Sequence, residues 1–182
     1  EFVELSKEVK EKTGLRTNIG YNHETLPEYW LRAKGQVFFE EGKLGAKSAD
    51  DISTIFDLEE QAVKEGWHVD PSVFTEITVG SAEQDPMVYG SNEDSMSWCT
   101  FAYSNQLSSI QQAAPEGVEI GITTWPSDDL EKSNYLKPSQ FFAVTADCKN
   151  PEEAVKVLDY ITNSVECNEV LLGERGVPIS QK

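Results

Sequence analysis

Apolar stretches at helical spacing alternate along this chain with short extended runs, and that alternation restricts it to folds in which helices cover a sheet. Phe2, Leu5 and Val9 share one helical face, which Gly14 closes as a residue suited to the left-handed C′ position. Ser48, with Asp51 three residues on, opens a second helix whose stripe of Ile52, Ile55, Phe56, Ala62 and Val63 runs to Gly66. Ser104 reads as the cap of another, carrying Leu107, Ile110 and Ala114 and stopped by Pro115. Asn150-Pro151-Glu152-Glu153 combines a cap residue, a proline at the first helical position and an acidic first turn. The helix it starts buries Ala154, Leu158 and Ile161, and a shorter one over 167–172 ends at Gly173.

Between these lie the extended runs. Residues 36–39 followed by Glu40-Glu41-Gly42-Lys43 predict a strand, a tight turn and a hairpin. Residues 95–101 read as a buried strand. Val118, Ile120 and Ile122 alternate with Glu119, Gly121 and Thr123 as in a half-buried one, and Phe141, Phe142 and Val144 suggest one more. Residues 15–29 and 67–90, broken by Gly20, Pro27, Pro71, Gly80 and Pro86, are expected to be irregular, the latter with one or two helical turns. The expected class is α/β.

Thirty-two acidic residues against fifteen basic ones leave a net charge of −17. Such a field repels phosphate backbones and anionic lipid headgroups, so no nucleic-acid partner is expected and membrane-surface binding is disfavoured. Cys99, Cys148 and Cys167 lie far apart, without a C-x-x-C pair or histidines at metal-ligand spacing. They read as buried or half-buried free thiols, and no metal or other cofactor is expected. No signal segment or membrane span is legible; the start on Glu1 fits either a processed cytosolic protein or a chain cut from a longer one, and its position inside a helical pattern favours the cut.

Catalytic signatures are missing: no G-x-S-x-G, Walker loop, G-x-G-x-x-G or H-E-x-x-H occurs. His23 and His68 stand apart in polar stretches and read as surface residues. Tandem acids such as Glu40-Glu41 and Glu59-Glu60 diverge on a helix or strand instead of converging on one atom. What the chain does supply is aromatic and amide chemistry at turns: Tyr29-Trp30, Trp98, Tyr103-Ser104-Asn105-Gln106, Trp125 and Ser139-Gln140. Sugar rings present apolar C–H faces and a rim of hydroxyls, which aromatic platforms beside Asn, Gln and Ser would match. The competing reading is that these aromatics are core.

Three segments carry a family likeness. The opening E-F-V-E-L-S-K-E-V-K-E-K-T-G, the middle from M-V-Y-G through S-M-S-W-C-T-F-A-Y-S-N-Q, and the ending K-P-S-Q-F-F-A-V, K-N-P-E-E-A-V-K-V-L-D-Y-I and E-R-G-V-P together resemble the bacterial family 1 extracellular solute-binding proteins of ABC sugar importers. The resemblance implies an incomplete type II periplasmic-binding-protein architecture, with residues 1–125 as most of the second lobe and 126–182 as a segment returning toward the first. It implies capture of a solute, a mono- or oligosaccharide, by lobe closure and without catalysis, outside the cytoplasm, on a lipid-anchored or periplasmic protein that docks on a membrane permease. Carried over by position, Tyr103 matches the stacking aromatic with Ser104 and Asn105 beneath it. Tyr29 and Trp30 match a second aromatic site, and Gln106, Ser139 and Gln140 would add polar contacts. Rival readings are a carbohydrate-active hydrolase, a binder of a cationic solute or peptide, and a plain interaction domain without a small ligand.

Overall fold

A computed structural model describes residues 1–19, 25–90, 95–137, 141–174 and 176. About half of these are helical, with one two-stranded sheet, so the class is mixed and rich in helix. The chain divides into two compact units: Glu1–Ala102 with Ser109–Tyr135, and Tyr103–Ser108 with Leu136–Lys182. Residues 103–108, the Tyr103 turn, thus group with the C-terminal part.

In the first unit, helix α1 (Phe2–Thr13) ends on Gly14, whose φ of 79° lets its N–H reach the Lys10 carbonyl. The chain then runs extended through Arg16 and Thr17, which form the middle of a minimal parallel arrangement. Thr17 N–H donates to the Trp67 carbonyl and Val69 N–H to the Thr17 carbonyl, both at 2.9 Å. On the other side Arg16 N–H donates to the Met96 carbonyl at 3.3 Å and Trp98 N–H to the Arg16 carbonyl at 3.0 Å. Two expectations are corrected here. The buried strand over 95–101 shrinks to one bridge at Ser97, and His68 is no surface residue: it pairs with Thr17, is 1% exposed, and its Nδ1 lies 2.7 Å from the Val69 carbonyl oxygen. His23 lies outside the described residues.

The stretch before Tyr29 is not irregular throughout. Helix α2 (Thr25–Ala33) contains Pro27, which falls in the first turn, where a missing N–H costs no intrahelical bond. Helix α2 packs against α3 (Asp50–Lys64) and α7 (Leu130–Ser133). Ile19, Leu26, Ile55 and Phe101 form the core, with Phe2, Trp30, Leu58, Cys99 and Trp125 packed on it. Each fully buried large apolar side chain contributes about 1.5–3 kcal/mol. Glu28 knots the α2 surface: one oxygen accepts from Arg32 Nε at 2.6 Å and the other from Phe38 N–H at 2.7 Å, while the Arg32 guanidinium lies 4.3 Å from the Tyr135 ring centre.

The hairpin forms where expected. Strands β1 (Phe39–Glu40) and β2 (Lys43–Leu44) pair antiparallel across Glu41 and Gly42, with φ of 49° and 75°. Positive φ at both positions is the tight turn that matches strand twist, and glycine takes it without penalty. Short helices α4 (Val73–Glu76) and α5 (Pro86–Tyr89) and a 3₁₀ turn at Ala82–Gln84 fill the next region.

The alternating run at 118–122 has no strand partner among the described residues, which corrects that expectation. A side chain takes the partner's place: the Gln111 amide donates to the Val118 carbonyl and accepts from Ile120 N–H, both at 2.8 Å. Gln111 sits on α6 (Leu107–Ala113), which stops before Pro115 as the sequence suggests.

In the second unit, α8 (Pro151–Asn163) and α9 (Val165–Leu171) pack on each other. The Ser164 hydroxyl caps α9 by accepting from Cys167 N–H at 3.2 Å, and Asn168 Nδ2 donates to the Ser164 carbonyl at 2.9 Å. Ala154, Leu158 and Ile161 are only half-buried, and Val155, Val157, Val165 and Val170 are exposed. The strand expected at 141–144 is absent: Phe141, Phe142 and Ala143 are exposed and unpaired in any described sheet. No helix among the described residues is long and apolar enough to cross a membrane.

Candidate functional site

Tyr103 enters the second unit in an extended conformation, φ −82° and ψ 151°, directly before a 3₁₀ turn at Ser104–Gln106. The turn is locked by its own ends: Tyr103 N–H donates to Gln106 Oε1 at 3.0 Å, and Gln106 N–H donates to the Tyr103 carbonyl at 2.9 Å. The oxygen of the Gln106 amide is thus spent on holding the turn. Its Nε2 and the whole side-chain amide of Asn105 have no hydrogen bond among the described residues, and Ser104 is exposed. Tyr103 itself is half-buried.

Lys137 completes the turn in space. Its ammonium lies 4.5 Å from the centre of the Tyr103 ring, a cation–π contact worth about 0.5–1 kcal/mol at an exposed position. The sequence reading names Tyr103, Ser104, Asn105 and Gln106 but misses Lys137, because no spacing rule joins a lysine to a distant tyrosine. Ser139 and Gln140 lie outside the described residues.

Tyr29 and Trp30 belong to the first unit, and their environment differs. Tyr29 is 5% exposed. Its hydroxyl donates to the Trp125 carbonyl at 2.8 Å, and its ring centre lies 5.1 Å from that of Trp125, which in turn meets Phe101 edge-on at 5.3 Å. Burial pushes the Tyr29 phenol above its ordinary pKa. Trp30 is half-buried against the core, and its indole N–H is buried without a hydrogen bond among the described residues. Trp98 is likewise half-buried with a buried N–H, its ring 6.1 Å from Phe2. For Tyr29 and Trp125 the structure therefore favours packing, the competing reading of the aromatics.

Two further clusters were not foreseen. Asp85, 2% exposed, accepts from Met87 N–H at 2.9 Å, from Asn18 Nδ2 at 3.4 Å and from the Thr100 hydroxyl. Burial pushes its carboxyl above the usual range, partly offset by the bonds from the Thr100 hydroxyl and Met87 N–H. The signal was available as Asp85-Pro86, a cap residue followed by proline at the first position of α5. An open groove is lined by Lys7, Lys10, Glu11, Glu65 and Trp67. There Glu65 accepts from Lys7 at 2.6 Å, Gln61 at 2.9 Å and the Trp67 indole at 3.0 Å. These contacts, Lys7 foremost, lower its carboxyl to about 2. Both clusters satisfy their own charges and read as architecture.

Among the described residues no group of three or more His, Cys, Asp or Glu side chains is placed to hold a metal. All three cysteines are free and half-buried. No family model matches the chain.

Proposed function

We propose that this chain is part of an extracytoplasmic solute-binding protein of an ABC importer, a type II binding-protein lobe that captures a carbohydrate without altering it and delivers it to a membrane permease. The observation that carries the reading is the Tyr103 turn. An aromatic ring, two amides with hydrogen-bonding capacity unspent among the described residues and an exposed hydroxyl occur within four consecutive residues, in a turn whose two bonds use only the oxygen of the Gln106 side chain. That is the mixture a sugar's apolar face and hydroxyl rim require. Lobe closure would then supply contacts that exist only in the bound state.

The experiment is a thermal-shift and calorimetric screen against mono- and oligosaccharides, amino acids and polyamines, because a ligand specific to the folded state raises the melting temperature. One saturable sugar, weakened about tenfold by Tyr103→Ala, a loss near 1.4 kcal/mol, supports the reading. Turnover of that sugar would point to a hydrolase, and a hit confined to polyamines or peptides to a cationic solute.

A second reading, an interaction domain without a small ligand, draws on the burial of Tyr29, whose hydroxyl is bonded to the Trp125 carbonyl. It predicts silence across the same screen.

A further inference from the structure

We infer that the Tyr103 turn selects acidic sugars, with Lys137 pairing the ligand's carboxylate. This rests on the solute-capture reading and specifies its ligand class. Lys12, Lys64, Lys132 and Lys156 each hold a carboxylate of their own helix or its cap. Lys137, like Lys10, Lys43, Lys47 and Lys149, has no carboxylate partner among the described residues, and what sets it apart is that its ammonium rests on the Tyr103 ring at the candidate site.

That position decides between ligands. An ammonium over the ring occupies space that the apolar face of a stacked sugar would take. A neutral sugar must displace it and offers only hydroxyls in exchange. A uronic acid displaces it too, but gives the ammonium an ionised oxygen, and a charge-assisted bond of this kind is roughly twice as strong as a neutral one. The lysine stem is flexible, so its head can swing from ring to carboxylate while remaining at the site. Asn105 and the Gln106 Nε2 donate without charge and serve hydroxyls equally in both ligands. The overall charge of −17 opposes anions at long range, but exposed charges more than about 8–10 Å apart are largely screened at physiological salt. Discrimination is therefore local.

The test is calorimetry on the protein with glucuronic and galacturonic acids and their short oligomers, the methyl esters of each, and glucose and galactose. The esters keep the shape and remove the charge. The expected result is at least tenfold tighter binding of an acid than of its ester, a difference abolished by Lys137→Gln and kept by Lys137→Arg. Equal binding of acid and ester, or a preference that survives Lys137→Gln, overturns the inference and leaves solute capture standing. Failure of every sugar to bind, with the protein folded by circular dichroism, overturns both.

Discussion

The hydroxyl of Tyr29 donates to the carbonyl of Trp125 across 96 residues of sequence, at 2.8 Å and within a stack of the same two residues' rings. One side chain thereby ties α2 to the extended segment that follows α6. Tyr29→Phe keeps the ring and deletes the bond, stranding a carbonyl beside a buried side chain. The expected cost is about 1–3 kcal/mol, read as a lower midpoint in urea unfolding followed by tryptophan fluorescence. An unchanged midpoint would mean that water replaces the hydroxyl.

Acid should act on this protein through opposing carboxylates. Asp51 is lowered to about 2, first by Lys34 at 3.0 Å, then by Gln36 at 3.2 Å and Ser48 at 3.0 Å, and Glu65 is lowered to about 2 by Lys7 and its neighbours. Both sit below their unfolded values of 3.8 and 4.5, so their stabilisation is present above those values and is lost as pH falls through them toward 2. Asp85, raised by burial, works the other way: its folded form holds the proton more tightly, so its ionisation costs stability as pH rises above 3.8. Melting temperature measured from pH 6 to pH 2 should fall less steeply in Asp51→Asn and in Glu65→Gln than in the wild type. Parallel curves would show that these contacts do not persist in solution.

Burial raises the Cys99 thiol to about 11, with Thr17 Oγ1 lying 3.4 Å from its sulfur. The thiolate is the reactive form, and the side chain is also shielded. Iodoacetamide at pH 8, followed by peptide mass spectrometry, should modify Cys148 and Cys167 well before Cys99. Equal rates would place Cys99 in a more open environment.

Gly90 is held by close backbone approach. A methyl group there would lie 2.5 Å from the Met96 Cα and 2.5 Å from the Ser95 carbonyl oxygen, so the backbone must move. That movement strains the neighbouring bond from Ser97 N–H to the Pro86 carbonyl at 3.2 Å, and with it the bridge to Arg16. Gly90→Ala should cost about 1–3 kcal/mol, measured by chemical denaturation. A stability equal to wild type would show that this region yields freely.

The helices legible in the sequence were those whose stripe and stop coincide. Gly14, Gly66 and Gly173 each follow a helix at positive φ, and Pro151 opens α8, so α1, α3, α8 and α9 lie close to where periodicity puts them. Helix α2 was hidden by Pro27, since proline breaks a helix interior but suits a first turn, and only the start position separates the two cases. Period two at 118–122 identifies the two faces of an extended segment but says nothing of whether a neighbouring strand exists, and Gln111 supplies that neighbour from a helix. At the candidate site the same limit applies. Tyr-Ser-Asn-Gln is readable as a local cluster, whereas Lys137 reaches it only through the fold.

The parallel contacts of Arg16 and Thr17 also have a bearing on biosynthesis. Their partners are Trp67 to Val69 and Met96 to Trp98, and the contact from Thr17 to Cys99 spans 82 residues. Helix α1 can form as it leaves the ribosome, but the edge that follows it must wait for both partners to be translated. Closure of such long loops comes before any reward from the contacts it permits. During that interval the nascent chain carries an open hydrogen-bonding edge, and the segment around Thr17 is where mispairing with a second nascent chain would begin.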